Sequence, residues 1–164
     1  MSNETMIYAL LDELHIVYNR LDHEPIYSVI EAAEKGIVLP GCQVKNLLLK
    51  NKKGRQFYLV ILPDEKIADI KHLAELLGEK RLSFASDENL AQLLQVEPGS
   101  VTPFGLLFDK EQKIQVVVDD SVGLDVQVGF HPFVNTTTLN ISYSDFERFL
   151  TYVVHPALRL YLCQ

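Results

Sequence analysis

The chain has 164 residues, of which 48% are hydrophobic and 23% are charged, and its net charge is −7. This length predicts a single domain over residues 1–164, and the composition excludes a disordered chain. The negative charge argues against a protein that coats nucleic acid. No apolar run approaches the roughly 18 residues of a membrane span, and Cys42 and Cys163 provide no disulfide framework. We therefore expect a cytoplasmic protein without a signal peptide.

The first quarter of the chain predicts a helix, a short strand and a second helix. Apolar residues at helical spacing over residues 3–18 indicate an amphipathic helix packed on the core. A short extended segment follows over residues 17–24. The pattern from Ser28 to Glu31 is typical of a capping box that opens a helix, and Gly36 is predicted to end that helix.

The middle of the chain predicts a hairpin followed by a helix. Residues 44–49 and 56–62 are rich in β-forming side chains, and the segment Asn51-Lys52-Lys53-Gly54 joins them. A short polar connection that ends in glycine between two such runs is typical of a β-hairpin. We expect Asp64 to cap a helix that continues to Leu77.

The second half of the chain is dominated by short strand patterns. They cover residues 81–84, 104–108, 114–118, 126–130 and 136–141. Ser86 predicts the start of a helix after the first of them, and either Ser142 or Ser144 predicts the start of a terminal helix. The strands occur in hairpin-like pairs more than in strict alternation with helices. We therefore predict an α+β fold with a mixed, partly barrel-like β-sheet surrounded by helices.

The common catalytic motifs are absent from this sequence. It contains no phosphate-binding loop, no GxGxxG, no HExxH and no nucleophile elbow. Its cysteines and histidines are not spaced like zinc ligands, and we expect neither a metal nor a cofactor. A thiol nucleophile at Cys42 is an alternative, but a buried apolar role is far commoner for such a residue.

Three stretches are unusual as plain structure. Lys45 and Asn46 open an apolar strand, where a lysine either points to solvent or directs a fixed ammonium at an anionic ligand. Residues 98–105 contain two prolines and two glycines, which is typical of a rigid loop that either connects strands or walls a pocket. The turn at His131 leads into Asn135 and three threonines. That turn would expose an imidazole, hydroxyls and backbone N–H groups in one place.

Positive charge is concentrated on the predicted hairpin, although the chain as a whole is acidic. The residues concerned are Lys50, Lys52, Lys53 and Arg55. Such a cluster can contact the phosphate backbone of a nucleic acid without reading its bases. It can equally be the solvated tip of a hairpin. The sequence leaves both interpretations open.

Five segments, in order along the chain, resemble the YbaK/ProX family. They are residues 25–33, 45–50, 81–86, 98–107 and 129–136, and together they span nearly the whole chain. Members of this family are free-standing relatives of the editing insertion domain of bacterial prolyl-tRNA synthetase, and the resemblance is greatest to the prolyl-tRNA editing branch. The chain departs from the family pattern at residues 42–44 and at Phe108, which adjoin the implied site.

The resemblance implies hydrolysis of the ester between a wrong amino acid and the 3′-terminal ribose of tRNA. Alanine on proline tRNA is the expected substrate. The alternatives are a cysteine- or serine-specific deacylase of the same fold, and a non-catalytic module that binds tRNA or a synthetase. The family resemblance implies that Lys45 is the residue most tied to activity, with Asn46 and His131 near the reacting ester.

Further substrate-binding candidates surround these three residues in the sequence segments described above. They are Ile26, Tyr27, Ser83, Thr102, Phe104, Gly129, Phe130, Pro132 and Thr136. A pocket that accepts alanine and excludes proline has to discriminate by volume, and the bulky members of this set are candidate walls. The expected partners are the acceptor end of mischarged tRNA and, as an option, prolyl-tRNA synthetase. No membrane partner is expected, and a dimer is left open.

Overall fold

The computed structural model describes residues 2–25 and 42–162. The helices are α1 (Asn3–Glu13), α2 (Ile70–Leu76), α3 (Asp87–Leu94) and α4 (Tyr143–Tyr152), with 3-10 segments at Pro98–Ser100 and Pro103–Phe108. The strands are β1 (Asn19–Asp22), β2 (Val44–Asn51), β3 (Phe57–Pro63), β4 (Leu82–Phe84), β5 (Ile114–Asp119), β6 (Gln127–Phe130), β7 (Thr137–Ser142) and β8 (Leu158–Leu160). The helix predicted from Ser28 to Gly36 lies outside the described residues, as do Ile26 and Tyr27.

The strands form two sheets that meet at one point. The order of the first sheet is β1-β7-β6, and the order of the second is β4-β2-β3-β5-β8. Just before β2, Cys42 forms a parallel bridge with Val128 of β6, and its backbone N–H donates to the Gln127 carbonyl oxygen at 2.7 Å. The α+β class and the mixed sheet are confirmed, because β3 and β5 run parallel whereas β2 and β3 run antiparallel. The described strands close no barrel, and their barrel-like character is limited to this junction.

Both sheets contribute one face to the main hydrophobic core. Because side chains alternate along a strand, Leu48 and Leu59 of the larger sheet and Phe130 and Ile141 of the smaller sheet lie in the same buried cluster. Helices α1, α3 and α4 and the 3-10 segment at Pro103–Phe108 supply most of the rest of that core. We call this side of the sheets the inner face. The outer face of the larger sheet forms a second, smaller core against α2, which contributes Leu73.

Several local predictions are confirmed. The predicted hairpin is the antiparallel pair β2–β3, and Gly54 in its turn has a φ of 66°. Ser86 begins α3 with a reciprocal capping box to Asn89. Ser142, one of two candidates, caps α4 by accepting from the Asp145 N–H at 3.1 Å. These features depend on neighbouring residues, which is why the sequence alone identifies them.

The prediction that Asp64 caps a helix is wrong. The Asp64 N–H donates to the Gln43 carbonyl oxygen at 2.9 Å, so this residue still belongs to the end of the β2–β3 hairpin. The helix begins later, where the Asp69 carboxylate accepts from the His72 N–H at 3.0 Å. Because of this strand contact, the residue that caps α2 is Asp69, about one and a half helical turns after the predicted cap Asp64.

The prediction of a strand at residues 104–108 is also wrong. This segment is a 3-10 helix that Pro103 opens and that the Thr102 hydroxyl caps, accepting from the Phe104 N–H at 3.3 Å. The segment packs closely on α3, because a Cβ at Gly105 would lie 2.6 Å from the Leu94 carbonyl oxygen. Proline and glycine at these positions favour a tight turn over a strand.

A buried histidine–carboxylate pair joins the end of this 3-10 helix to the segment after α4. His155 Nε2 lies 2.9 Å from Asp109 Oδ2, and the two side chains are 1% and 2% exposed. His155 Nδ1 faces the Val153 carbonyl oxygen, so both ring nitrogens lie against oxygen atoms. Burial alone would raise the pKa of the Asp109 carboxyl. The His155 ring and the N–H groups of Ile114 and Lys113 outweigh burial and hold this pKa below its usual range.

We expect Asp109→Asn to lower the free energy of unfolding by about 3 kcal/mol at pH 7, because it removes a buried carboxylate that contacts His155 and accepts from the Lys113 and Ile114 N–H groups. A carboxyl with a lowered folded pKa stabilises above its unfolded pKa of about 3.9, and this stabilisation is lost as the pH falls through the folded pKa. The difference between the wild type and the variant should therefore shrink below about pH 4. Urea unfolding at several pH values measures it.

The matched control is Asp120→Asn, since the Asp120 side chain is 65% exposed and lies 3.6 Å from Arg159. An exposed pair of this kind contributes at most about 1 kcal/mol. Equal losses in the two variants would contradict a structural role for the buried pair.

Candidate active site

The outer face of the smaller sheet is polar, in contrast to the apolar outer face of the larger sheet. Thr138 and Asn140 of β7 project from it and are 3% and 1% exposed. Gly129 of β6 pairs in register with Asn140. A Cβ at Gly129 would lie 2.9 Å from Thr138 Cγ2 and 3.2 Å from Asn140 Oδ1, so the close approach of the two strands requires glycine there. We call Gly129, Thr138 and Asn140, together with His23 and His131, the polar face.

Lys45 lies on the same side of the joined sheets as the polar face. In β2, Leu48 belongs to the inner core and Leu49 to the outer core, so alternation directs Lys45 outward. Lys45 is half-buried and pairs in register with Leu62, a member of the outer core. The ammonium group therefore projects from the margin of the apolar outer cluster.

The bridge between the sheets relates Lys45 to His131. Cys42 and Val128 are parallel partners, and both side chains contact the inner core. Counting three residues forward along both parallel segments brings Lys45 level with His131, on the outer side. Strand β2 also contacts β6 directly. The register thus places two predicted catalytic residues, which are far apart in the sequence, on the same side of the junction between the sheets.

Asn46, the third predicted catalytic residue, leaves the opposite side of β2. It lies between Val44 and Leu48, which both contact the inner core. Its Oδ1 atom is buried and accepts no hydrogen bond from any residue that the structure describes. The side chain of Asn46 is therefore not brought together with Lys45 and His131.

The His131 ring is held in one tautomer. Its Nδ1 lies 2.9 Å from the Thr137 carbonyl oxygen, which can only accept, so Nδ1 carries the proton in the neutral ring and Nε2 keeps a lone pair. Burial lowers the pKa of His131, the neighbouring His23 lowers it further, and the bond to Thr137 opposes both. A neutral imidazole with an available Nε2 can orient a water molecule or accept a proton.

His23 is a member of the polar face that sequence reasoning did not identify. Its ring centroid lies 6.0 Å from that of His131. Its Nε2 lies 2.7 Å from Thr138 Oγ1, and its Nδ1 lies 2.7 Å from the Glu24 carbonyl oxygen. The sequence offers no motif that links His23 to His131, because β1 and β6 meet only through β7.

Two of the three unusual stretches meet at a cavity of about 450 Å³, a size typical of small-molecule sites. Its lining residues are Glu97, Pro98, Gly99, Ser100, Phe133, Val134, Asn135 and Thr136. Phe133 has a φ of 70°, a conformation that costs a non-glycine residue energy. Its ring contacts Phe108 edge to face, with centroids 5.9 Å apart. The predicted pocket residue Thr136 is the member of our candidate set that lines this cavity.

Three other predicted pocket residues lie within the protein interior. Phe104 and Phe130 belong to the inner core, where Phe104 packs edge to face on Phe130 and Phe149 at 5.8 and 5.4 Å. Thr102 is fully buried and caps the 3-10 helix. These residues point to the side opposite Lys45, so the structure gives them a packing role beneath the polar face.

The remaining candidates lie in two separate places. Pro132 is buried and follows His131 directly. Ser83 of β4 pairs with Lys50, near the far end of β2.

The basic hairpin tip lies away from Lys45. Lys52, Lys53 and Arg55 are exposed. Lys52 follows Lys45 by seven positions along nearly extended chain, which corresponds to about 23 Å. Consecutive nucleotides in one strand rise about 3.4 Å. A nucleic acid that contacts both Lys45 and the hairpin tip would therefore reach the tip about seven nucleotides away from the nucleotide bound at Lys45.

Cys42 is unsuited to act as a thiolate. It is partly buried against the inner core. Burial raises the pKa of its thiol, and the negative charge of Glu65 raises it further. Since the thiolate is the nucleophilic form, this environment favours the apolar role.

The sequence pattern of the aminoacyl-tRNA editing domain family matches residues 23–149. The chain belongs to this family. It is 37% identical over 148 residues to the prolyl-tRNA editing protein ProX of Acetoanaerobium sticklandii, and the match covers 90% of each chain. It is 32% identical over 152 residues to prolyl-tRNA synthetase associated domain-containing protein 1 of Danio rerio, covering 92% of this chain and 82% of the relative.

A solved structure described as a trans-editing enzyme for prolyl-tRNA synthetase has the same fold. Its TM-score is 0.69 at 15% identity, and the match covers 100% of this chain and 98% of the other. The family resemblance and the assignment to aminoacyl-tRNA editing enzymes are confirmed. In the described part of the chain, no helix is long and apolar enough to cross a bilayer, and no three His, Cys, Asp or Glu residues cluster as metal ligands would.

We expect Cys42 to react slowly with iodoacetamide at neutral pH, because its raised pKa leaves little thiolate. In a Cys163→Ser background, the alkylation rate should rise with pH through a midpoint above the ordinary range of cysteine, near 8.5. The Cys42→Ala variant should retain wild-type deacylation within about twofold. Loss of activity by about 100-fold or more in a folded variant would instead support nucleophilic catalysis.

Proposed function

We propose that this editing-family protein acts in trans on mischarged proline tRNA and hydrolyses the ester of alanine in preference to other amino acids. The observation that supports the proposal is that the strand register directs Lys45 and His131 to the same side of the β2–β6 junction. The 37% sequence identity to the prolyl-tRNA editing protein ProX, over 90% of each chain, supports mischarged proline tRNA as the substrate class.

An aminoacyl ester is already activated, so its hydrolysis requires positioning more than a strong nucleophile. In our proposal His131 Nε2 holds a water molecule, whose oxygen attacks the ester carbonyl carbon while its proton passes to the imidazole. The bond from that carbon to the ribose oxygen then breaks, and the ribose oxygen takes the proton. The products are free alanine and tRNA with an intact 3′ end.

Lys45 supplies positive charge to this reaction. Its half-buried position limits screening by water, so an ammonium there interacts strongly with the phosphate and ribose oxygens of the terminal nucleotide. We assign Lys45 the role of orienting the 3′ end and stabilising the developing negative charge. The Asn46 side chain faces the inner core, so in our proposal it affects the reaction only by fixing the position of β2.

The cavity between residues 97–100 and 133–136 is the proposed site for the terminal nucleoside. Its polar rim includes Ser100 and Thr136, and the ring of Phe133 offers a surface for stacking. The wall formed by residues 133–136 begins two residues after His131, which supports placing this cavity beside the proposed reaction centre. Gly129 and Pro132 set the path of that loop.

The volume limit that favours alanine over proline is proposed to come from Ile26 and Tyr27 together with the strands of the polar face. Phe104 and Phe130 support this face from the inner core, and Thr102 holds the adjoining turn. Ser83 and Lys50 lie along β2 toward the hairpin tip, whose basic residues are the proposed contact for the acceptor stem. Prolyl-tRNA synthetase is the proposed protein partner.

Deacylation of purified tRNA tests the proposal. The protein is incubated with proline tRNA carrying alanine, cysteine, serine or proline, and amino-acid release is followed. We expect alanine to be released fastest and proline to be spared. Lys45→Ala should lower kcat/KM by about 100-fold or more, the range found when an electrostatic stabiliser is removed, with unchanged thermal unfolding.

The control variant is Lys71→Ala, which removes an exposed lysine on α2 and should leave activity unchanged. Faster release of cysteine or serine would favour the alternative specificity of the same fold. Release of nothing by the folded wild type would favour the non-catalytic binding module.

The hairpin contact is tested by salt dependence. The triple variant Lys52→Gln, Lys53→Gln and Arg55→Gln should raise KM for tRNA without lowering kcat, because these residues lie far from Lys45. The slope of log KM against log salt concentration should fall by as much as about 2.7, since each lost phosphate contact contributes roughly 0.9.

A second triple variant serves as a charge-matched control. It replaces the exposed residues Lys71, Lys80 and Lys110 by glutamine. Equal slopes in the two triple variants would show that only the overall charge matters and would overturn a hairpin contact.

A further inference from the structure

We infer that His23 is a positioning residue that holds the His131 ring in place and keeps it neutral. The inference extends the proposed function, in which a neutral His131 orients water. It is carried by the hydrogen bonds and ring geometry of this histidine pair.

The His23 ring is fixed at both nitrogens. The Glu24 carbonyl oxygen, 2.7 Å from Nδ1, can only accept, so Nδ1 donates to it. In the neutral ring Nε2 then accepts from the Thr138 hydroxyl at 2.7 Å. The His23 backbone N–H adds a bond to the Thr136 carbonyl oxygen at 2.8 Å. Three hydrogen bonds therefore fix a residue that lies just beyond the end of β1.

The His131 ring is held by the same short segment of chain. Its Nδ1 donates to the Thr137 carbonyl oxygen at 2.9 Å. Three consecutive residues of the β7 entry, Thr136, Thr137 and Thr138, thus hold both rings. The rings stand 6.0 Å apart at 58°, so a shift of one ring is transmitted to the other through this segment.

The closeness of the two rings also has an electrostatic consequence for His131. Burial disfavours protonation of His131, and the His23 ring at this separation disfavours it further, which agrees with the lowered pKa of His131. The charged groups on the neighbouring elements are Asp22 and Arg20 of β1, which pair with each other at 3.0 Å, Glu24 after β1, and Lys45 of β2. Asp22 also accepts from the Thr137 hydroxyl at 2.8 Å, which steadies the same segment.

Two substitutions at this position separate charge from hydrogen bonding. His23→Gln can keep a donor toward Glu24 and an acceptor toward Thr138 but carries no charge at any pH. His23→Phe keeps the ring volume and loses both hydrogen bonds. His72→Gln is the control, because that histidine lies on α2, which packs on the larger sheet, whereas His23 and His131 adjoin the smaller sheet.

The direct measurement is an NMR titration of the His131 ring, which does not depend on activity. The titration midpoint of His131 should move up by about 0.5–1 pH unit in both His23 variants and stay unchanged in the control. In His23→Gln the Nδ1–H tautomer of His131 should persist.

The pH profile of alanyl-tRNA deacylation is the second measurement. Since a protonated His131 is inactive in the proposed reaction, the acid limb of kcat/KM should move to higher pH by the same amount as the titration midpoint. At pH values above this acid limb, His23→Gln should have the same kcat/KM as the wild type. His23→Phe should have a lower kcat/KM than the wild type at every pH.

An unchanged His131 midpoint in both folded variants would overturn the inference and leave His23 a structural role. If the wild type hydrolyses none of the tRNAs, the proposed function fails, and the titration alone still decides whether His23 controls the state of His131.

Discussion

The structure depends on the way in which the segment that enters β2 joins the two sheets. Cys42, just before β2, forms the bridge to Val128 of β6, and the last residues of β2 pair with β4. Because side chains alternate along a strand, this single register decides which residues of both sheets face the core. A slip of one residue would bury Lys45 and turn Leu48 outward. The large apolar content of the inner face therefore fixes the position of the catalytic candidate.

The same arrangement explains why the outer face is apolar on the larger sheet and polar on the smaller sheet. On the larger sheet α2 covers Tyr58, Val60 and Leu62, and an apolar surface is required there. On the smaller sheet the outward residues are histidine, threonine, asparagine and glycine: His23 bonds to Thr138, and Gly129 allows close strand contact. Lys45 lies where the apolar part ends. The change from apolar to polar side chains along one continuous surface marks the candidate site without any catalytic motif.

Local sequence patterns predicted the parts of this fold that local interactions determine. The hairpin around Gly54 and the capping box at Ser86 need only residues close in the chain. The failures occur where distant segments decide. Residues 104–108 have a strand-like composition, but packing on α3 and the Thr102 cap make them a 3-10 helix. Periodicity in short apolar runs does not reveal which face is buried, so Phe104 and Phe130 were assigned to a pocket wall although their rings lie in the core.

For the site, residue types were predictable and their arrangement was not. Lys45 and His131 stand out as polar residues in apolar surroundings. Their alignment depends on a parallel bridge between segments far apart in sequence, and the association of His23 with His131 depends on β7 lying between β1 and β6. Asn140 shows no pattern in the sequence, since an isolated polar residue within a strand is common.

The contact between Gly129 and Asn140 has a consequence for divergence within the family. Both residues border one small volume that the methyl group of Thr138 also enters, so the space belongs to three positions together. A chain that acquires a larger residue at position 129 has to acquire smaller ones at positions 138 and 140 to keep the strands at their spacing. These three positions should therefore covary.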